Sequence, residues 1–266
     1  MPSISIVIAV YNEEETLRAV FERCLAVLKD CCDDYEILIL DDGSADHSLQ
    51  IAESLAEQYP DVTRVLRHEV NLGIARTFED LFKAATKELI FDVPSDGEYP
   101  PEALYEILPM MSEYDIVVCR RTTKNYSVYR KIVSYWYRML PKLLFSVEMY
   151  DPGSTKCRKQ KVIREIPVKS QGVFIEAERM LRAVRRGYRL GKVDIVPERR
   201  LAGDPRGAKF ANVRAAVVDL FRLWIDISLW GDSHETVKFD QNTQGTPQNA
   251  MRSTSSTCSD ENSENC

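Results

Sequence analysis

The sequence contains no run of about 18 uncharged apolar residues, the minimum for a bilayer span, which excludes an integral membrane helix. It starts MPSISIVIAV, with neither a basic n-region nor a cleavage site, so a cytoplasmic location is expected. Its seven cysteines include no Cys-x-x-Cys pair, and Cys31 and Cys32 are adjacent, so reduced, mostly structural thiols are expected. The three histidines, His47, His68 and His234, have no metal-ligand spacing and read as surface or cap residues. No G-x-G-x-x-G follows the first apolar run, which argues against a dinucleotide fold, and no G-x-S-x-G points to hydrolysis.

With 44% of its 266 residues hydrophobic, the chain can bury one or two cores, and disorder throughout is excluded. The net charge of −6 hides an asymmetry. Residues 1–115 carry 8 basic and 25 acidic side chains (net −17), residues 116–230 carry 25 and 10 (net +15), and the remainder 2 and 6 (net −4). A basic half beside an acidic one suits phosphate-bearing ligands or an anionic membrane surface. Nucleic acid scores lower, because the rest of the chain is acidic and none of the usual nucleic-acid modules is present.

Along the chain, short β-branched runs alternate with segments of helical periodicity. Strands are expected at residues 4–10, 36–40, 62–66, 89–91, 115–119 and 192–196, and helices at 17–28, 45–58, 73–85, 101–111, 173–186 and 211–230. Asn12 with Glu15 three residues later resembles a capping box for the first helix. The alternation predicts an α/β fold with a mostly parallel sheet and helices on both faces, and ligands at the carboxyl ends of the strands. Polar loops follow those ends: Tyr11-Asn12-Glu13, Asp41-Asp42-Gly43-Ser44 and Pro94-Ser95-Asp96-Gly97-Glu98. Each alone is what a turn or cap requires. From Arg120 to Arg164, twelve Lys and Arg accompany only Glu148 and Asp151, interleaved with aromatics, as in a stretch that lies in a membrane interface or holds phosphates. The last helix is amphipathic, and the polar tail from Gly231 reads as disordered.

In order, SIVIAVYNEEETL, EILILDDGSADHS, NLGIARTF and FDVPSDGEYPPEAL resemble glycosyltransferase family 2, with the GT-A (Rossmann-like) fold. YRKIVSYWYRMLPKLLF, DPGSTKCRKQKVI, SQGVFIEAERMLRAVRRGYRL and ERRLAGDPRGAK resemble its polyprenyl-phosphate branch, the relatives of dolichyl-phosphate mannose and glucose synthases, so that the likeness runs through residues 3–230. That resemblance implies an inverting transfer of one sugar from a nucleotide-sugar donor to a polyprenyl-phosphate-type lipid acceptor, in a protein peripheral on the inner face of the membrane, alone or with a membrane partner protein. It also implies a donor site at Tyr11, Asn12, Glu13, Asp42, Gly43 and Asp96, with Asp42 on the base or ribose. An acceptor-phosphate site follows at Arg121, Arg130, Ser134, Arg200 and Lys209, with Asp96, Arg121 and Arg130 as the catalytic set. Glu178 matches the family's recurrent Glu on the acceptor-side helix, where Glu176 also lies.

Pro94 stands where the family carries the first Asp of D-x-D, and a prolyl side chain cannot bind Mg²⁺ or Mn²⁺. The cation is therefore expected on Asp96 and the donor diphosphate, with Glu98 as a second ligand. Neither the Glu-Asp pair nor the Q-x-x-R-W pattern of processive synthases is present. A hydroxyl acceptor needs a general base, whereas a phosphate monoester arrives already anionic at neutral pH. Two alternatives stay open: a glycosyltransferase with a hydroxyl acceptor, and a catalytically impaired GT-A binding module.

Overall fold

A computed structural model describes residues 2–122, 139–145, 147, 150–170, 172, 174–198 and 218–225. Seven strands form one sheet: β1 (Ile4–Val10), β2 (Tyr35–Asp41), β3 (Thr63–Arg67), β4 (Leu89–Asp92), β5 (Ile116–Arg121), β6 (Lys156–Lys159) and β7 (Leu190–Ile195), in the spatial order β3-β2-β1-β4-β6-β5-β7. Only β6 runs antiparallel, against both β4 and β5. The order reverses between β1 and β4, which pair in parallel from Ile4↔Leu89 to Val7↔Asp92. In an open α/β sheet such a reversal leaves a crevice beyond the strand ends, and the loops after β1 and β4 border it.

The helices are α1 (Leu17–Cys31), α2 (Ser48–Gln58), α3 (Ile74–Ala84), α4 (Leu104–Met110), α5 (Gln160–Glu165) and α6 (Ile175–Arg185), and a 3₁₀ turn (Pro101–Ala103) leads into α4. Strand alternation divides them between the faces. Ile4, Ile6, Ile8 and Val10 of β1 pack with Leu17, Phe21, Leu28 and Leu104, on the side of α1 and α4, while Val7 and Ala9 pack with Leu81 and Phe82 of α3. Every β1 side chain is buried, the pattern of a central parallel strand. A further core joins Ile116 and Val118 of β5 to Phe174, Met180 and Leu181, and to Phe145, Leu220 and Leu223 of helical stretches at 139–145 and 218–225. The rest of the helix expected at 211–230, and the tail, lie outside the described residues.

Two expectations change. Asn12 caps no helix: α1 begins at Leu17, and Asn12 adopts a left-handed conformation (φ 55°) that turns its amide toward the neighbouring loop. The strand β6 and the helix α5 that follows it were not expected at all.

Candidate active site

The loops after β1, β2 and β3 form a single stitched rim. The Asn12 N–H donates to Ser44 Oγ at 3.0 Å, Asn12 Oδ1 accepts from the Ala45 N–H at 2.8 Å, and the Glu13 N–H reaches Ser48 Oγ at 2.8 Å. The Glu13 carboxylate accepts from Thr16 Oγ1 at 3.0 Å. Gly43 has a φ of +69°, and a Cβ there would lie 2.7 Å from the carbonyl carbon of Val70, so only glycine lets these two loops touch. Tyr11, half-buried, follows the end of β1 directly.

Asp42 is committed inward. Its side chain is 4% exposed, Oδ1 lies 2.7 Å from His68 Nδ1 and 2.9 Å from the Leu72 N–H, and Oδ2 accepts the Gly73 N–H at 2.9 Å. The carboxylate thus holds the loop that opens α3, and His68 bridges on to Asp80 at 3.3 Å. Its neighbour Asp41 is also buried. Asp41 Oδ2 accepts the Ser44 N–H at 3.1 Å, whereas Oδ1 has no hydrogen-bond partner among the described residues. A buried carboxylate oxygen left without a donor is costly unless a ligand supplies one.

On the other side of the switch point, Ser95 Oγ donates to the Ala9 carbonyl at 2.9 Å and ties the loop after β4 to β1. Gly97, at φ +72°, turns the chain so that Asp96 Oδ1 accepts the Glu98 N–H at 3.0 Å. The Glu98 carboxylate lies 3.6 Å from Arg121 at the end of β5. Arg121 makes a bidentate pair with Asp151, at 2.9 and 3.0 Å, and lies 5.8 Å above the Tyr99 ring. Burial, more than anything else, pushes the Tyr99 hydroxyl well above the usual phenol range, so it remains a neutral hydrogen-bonding group. The Glu98 carbonyl accepts the Glu198 N–H at 2.9 Å, which brings the chain after β7 to the same place. Asp96, Glu98, Arg121 and Asp151 therefore meet at one edge. Asp151 was missed among the site residues, although it is one of only two acids in the basic stretch and opens the DPGS turn.

Among the described residues no group of three or more His, Cys, Asp or Glu side chains is gathered to hold a metal ion. Glu178 and Glu176 both face inward. Glu178 accepts the backbone N–H groups of Lys169 and Ser170 and the Arg182 guanidinium. Burial alone would raise its carboxyl, but these bonds outweigh burial and hold it below the usual range. Glu178 thus orders the chain before α6. Glu176 belongs to a buried ion cluster described below. Arg130, Ser134, Arg200 and Lys209 lie outside the described residues, as do positions 123–138 of the basic aromatic stretch.

The sequence model of one family, Glycosyl transferase family 2, matches residues 5–169, a span that contains all three stitched loops, Asp96, Arg121 and Asp151. The chain belongs to glycosyl transferase family 2. Among curated relatives it is 33% identical over 132 residues to an undecaprenyl-phosphate 4-deoxy-4-formamido-L-arabinose transferase from Photorhabdus laumondii, a match covering 49% of this chain and 41% of that one. It is 31% identical over 151 residues to the protein of the same name from Serratia proteamaculans, covering 56% and 46%. The chain thus matches less than half the length of these relatives. Among solved structures, glucosyl-3-phosphoglycerate synthase from Mycobacterium tuberculosis, in complex with Mn²⁺, UDP and phosphoglyceric acid, superposes with a TM-score of 0.66 at 16% identity, covering 84% of this chain and 78% of that one. The same enzyme with Mg²⁺ and UDP gives 0.64. These structures establish the GT-A fold.

Proposed function

We propose that the chain transfers one sugar from a nucleotide-sugar donor to a lipid-linked phosphate of polyprenyl type, with inversion. The observation that carries this reading is the Arg121 fork, held by Asp151 and facing Glu98 beside Asp96. With Nε and Nη2 committed to Asp151, the charged Nη1 edge of Arg121, which faces Glu98, is the side that would meet a phosphate of donor or acceptor. The names of the curated relatives support the acceptor class. Asp151 lies close enough to suggest a general base for a hydroxyl acceptor, but both its oxygens are engaged by Arg121, which favours the phosphate reading.

The donor's nucleoside belongs on the rim made by Tyr11, Asn12, Glu13 and the Asp41-Asp42-Gly43 turn. There the orphaned oxygen of Asp41 accepts a hydrogen bond from the base, and Asp42 acts by holding the loop. Asp96 and Glu98 would supply hard oxygen ligands for Mg²⁺ or Mn²⁺, and a cation held there would supply charge neutralisation at the leaving diphosphate. Arg121 remains protonated throughout and stabilises the phosphate charge from the other side.

Membrane contact fits the same half. No helix among the described residues is long and apolar enough to cross a bilayer. The stretches at 139–145 and 218–225 bury Phe145, Leu220 and Leu223 and half-bury Leu140 and Leu144, yet leave Leu143 (78% exposed), Phe221, Trp224 and Ile225 outside. An apolar outer face beside Lys and Arg suits an anionic lipid surface.

Incubation of the purified chain with radiolabelled nucleotide sugars, with and without a short polyprenyl phosphate and with and without EDTA, tests the proposal. Label passing to the lipid only in the presence of a divalent cation is expected. Transfer to a hydroxyl acceptor instead, or donor binding without any turnover, would replace this reading with one of its two alternatives.

A further inference from the structure

Beneath the loop that carries Asp96 lies a cluster of six ionised side chains. Arg158 of β6, 1% exposed, pairs with Asp92 at the end of β4 and with Glu176 of α6, the latter at 2.7 Å. Glu176 also lies 3.5 Å from Lys156 and 3.3 Å from Arg179, and Arg179 goes on to pair with Glu79 of α3. Phe82 of α3 sits under Arg158, at 4.4 Å from ring centroid to guanidinium carbon. Three cations and three anions make the cluster neutral. Burial works against the charge on Glu176, but the surrounding cations, Arg158 foremost, outweigh it and hold the carboxyl far below the usual range, whereas at Asp92 burial prevails over Arg158 and Lys156 and raises the carboxyl. Among the described residues Arg158 Nε has no hydrogen-bond partner, and they hold the guanidinium by its two terminal nitrogens.

Buried ion clusters seldom stabilise a fold more than well-packed apolar residues would, so stability alone gives little reason to place one here. Their geometry is directional, however, and this cluster links three elements that border the site. Asp92 is the last residue of β4, four before Asp96. Its backbone carbonyl accepts from Thr155 Oγ1 at 2.7 Å, so β6 and the residue that precedes it grip the end of β4 at main chain and side chain alike. Glu79 lies on α3, whose opening loop is the one pinned by Asp42. Glu176 lies on α6, in the acceptor half.

We propose that Arg158 is a positioning residue for sugar transfer: its buried guanidinium fixes the end of β4, and with it Asp96, relative to α6 and α3. The inference rests on the transfer activity proposed above. Arg158 touches neither substrate nor cation. Its effect is to keep the donor-side carboxylates and the acceptor half in one arrangement, and displacements of about an ångström at a reacting centre cost on the order of a hundredfold in rate.

Arg158→Lys keeps the charge but cannot span Asp92 and Glu176 together. Glu79→Gln loosens the far end of the cluster at a side chain that is 17% exposed, and is the variant expected to fold in any event. Calorimetric affinity for the nucleotide without divalent cation should stay within about threefold of wild type in both, because the nucleoside rim does not include the cluster and Asp96 meets the donor only through the cation. In the same preparations kcat per folded molecule should fall about 10- to 100-fold in Arg158→Lys and several-fold in Glu79→Gln. A cluster that only stabilises the fold would lower the melting temperature and leave kcat per folded molecule unchanged, and that result overturns the proposal. If Arg158→Lys does not fold, unchanged kcat in Glu79→Gln overturns it alone. Should the wild-type chain itself prove inactive, the transfer reading fails, and amide exchange at Val93 and Glu98 then decides: faster exchange in the variants supports positioning of the β4 end, and wild-type protection refutes it.

Discussion

Replacing Asp42 with alanine removes a carboxylate that serves three donors at once: His68 Nδ1, the Leu72 N–H and the Gly73 N–H, all within 2.9 Å. Each buried donor left without an acceptor costs about 1–3 kcal/mol, so three would sum to roughly 3–9 kcal/mol if none found water. Water is within reach of two of them. Val70 and Leu72 in this loop and Ile74 at the start of α3 are each at least half exposed, so a small outward movement rehydrates the two amides. The expected loss in global stability is therefore about 2–4 kcal/mol, a large fraction of the roughly 5–15 kcal/mol available to a domain of this kind. Asp42→Asn keeps one carbonyl oxygen and should lose about half as much. Urea unfolding measures the total, and hydrogen exchange at Leu72 and Gly73 separates loop opening from global unfolding, because only the first speeds exchange without moving the midpoint. Nucleotide affinity should fall in parallel, since Gly43 lies against the backbone of the same loop at Val70. If Asp42→Ala loses less than about 1 kcal/mol and both amides keep wild-type protection, the carboxylate does not hold this loop.

Arg121→Lys should lower kcat/KM for transfer by about 10- to 100-fold with little change in melting temperature, because lysine keeps the charge but not the paired bonds to Asp151; steady-state kinetics with wild-type values would remove Arg121 from the phosphate site. Asp41→Asn should weaken calorimetric nucleotide affinity about tenfold while leaving the free protein at least as stable, since Oδ1 has no hydrogen-bond partner to lose among the described residues, and unchanged affinity would show that the base is read elsewhere. Burial alone would raise the Glu36 carboxyl, but bonds from Ser5, the Thr86 N–H and hydroxyl, and Arg64 hold it below the usual range. Its folded proton affinity is thus lower than in the unfolded chain, so its contribution is present above about pH 4.3 and is lost as pH falls through the folded value. Urea midpoints measured from pH 6 to 3 should fall less steeply in Glu36→Gln than in wild type, and parallel curves would refute the assignment.

The strands β1 to β5 were legible in the sequence because each is a short apolar run between polar turns, and their ends fall within two residues of expectation. The sequence Lys156-Cys157-Arg158-Lys159 gave no such signal. Its basic side chains are buried, but they are neutralised by Asp92, Glu176 and Asp115, which come from segments up to 66 residues away. Local hydropathy cannot register burial that depends on a distant partner, so residues 156–159 read as part of the basic stretch expected to lie in a membrane interface or hold phosphates. The polar loops on the sheet edge were placed correctly as a group, because strand alternation alone puts them there. The direction of each side chain was not: Asp41 and Asp42 are consecutive and chemically identical, and only the path of the loop before α3 decides which one is consumed internally. Asn12 misled for a related reason, since its spacing to Glu15 mimics a cap while its backbone is left-handed.

The division into an acidic and a basic half acquires a second meaning from the contacts. Residues of the basic half pair across the boundary with acids of the other: Arg158 with Asp92, Arg179 with Glu79, Lys159 and Lys161 with Asp115, and Arg189 with Glu113. Much of the +15 is therefore internal complement, and net charge overstates what remains for phosphates or lipid. The two uses differ in their response to salt. Buried pairs such as Arg158–Asp92 are shielded from mobile ions, whereas attraction between exposed Lys or Arg and an anionic surface decays over about 8–10 Å at physiological ionic strength and about 3 Å at 1 M. Raising salt from about 0.1 to 1 M should accordingly release the chain from vesicles containing anionic lipid while the melting temperature moves by only a few degrees. Replacing Phe221 and Trp224 with serine should weaken flotation at both salt concentrations, because it removes the apolar part of the contact. Flotation that is equal on neutral and anionic vesicles and indifferent to salt would mean that the exposed basic residues do not face lipid, and failure to float on either kind of vesicle would mean that the outer face of residues 218–225 meets something other than a membrane.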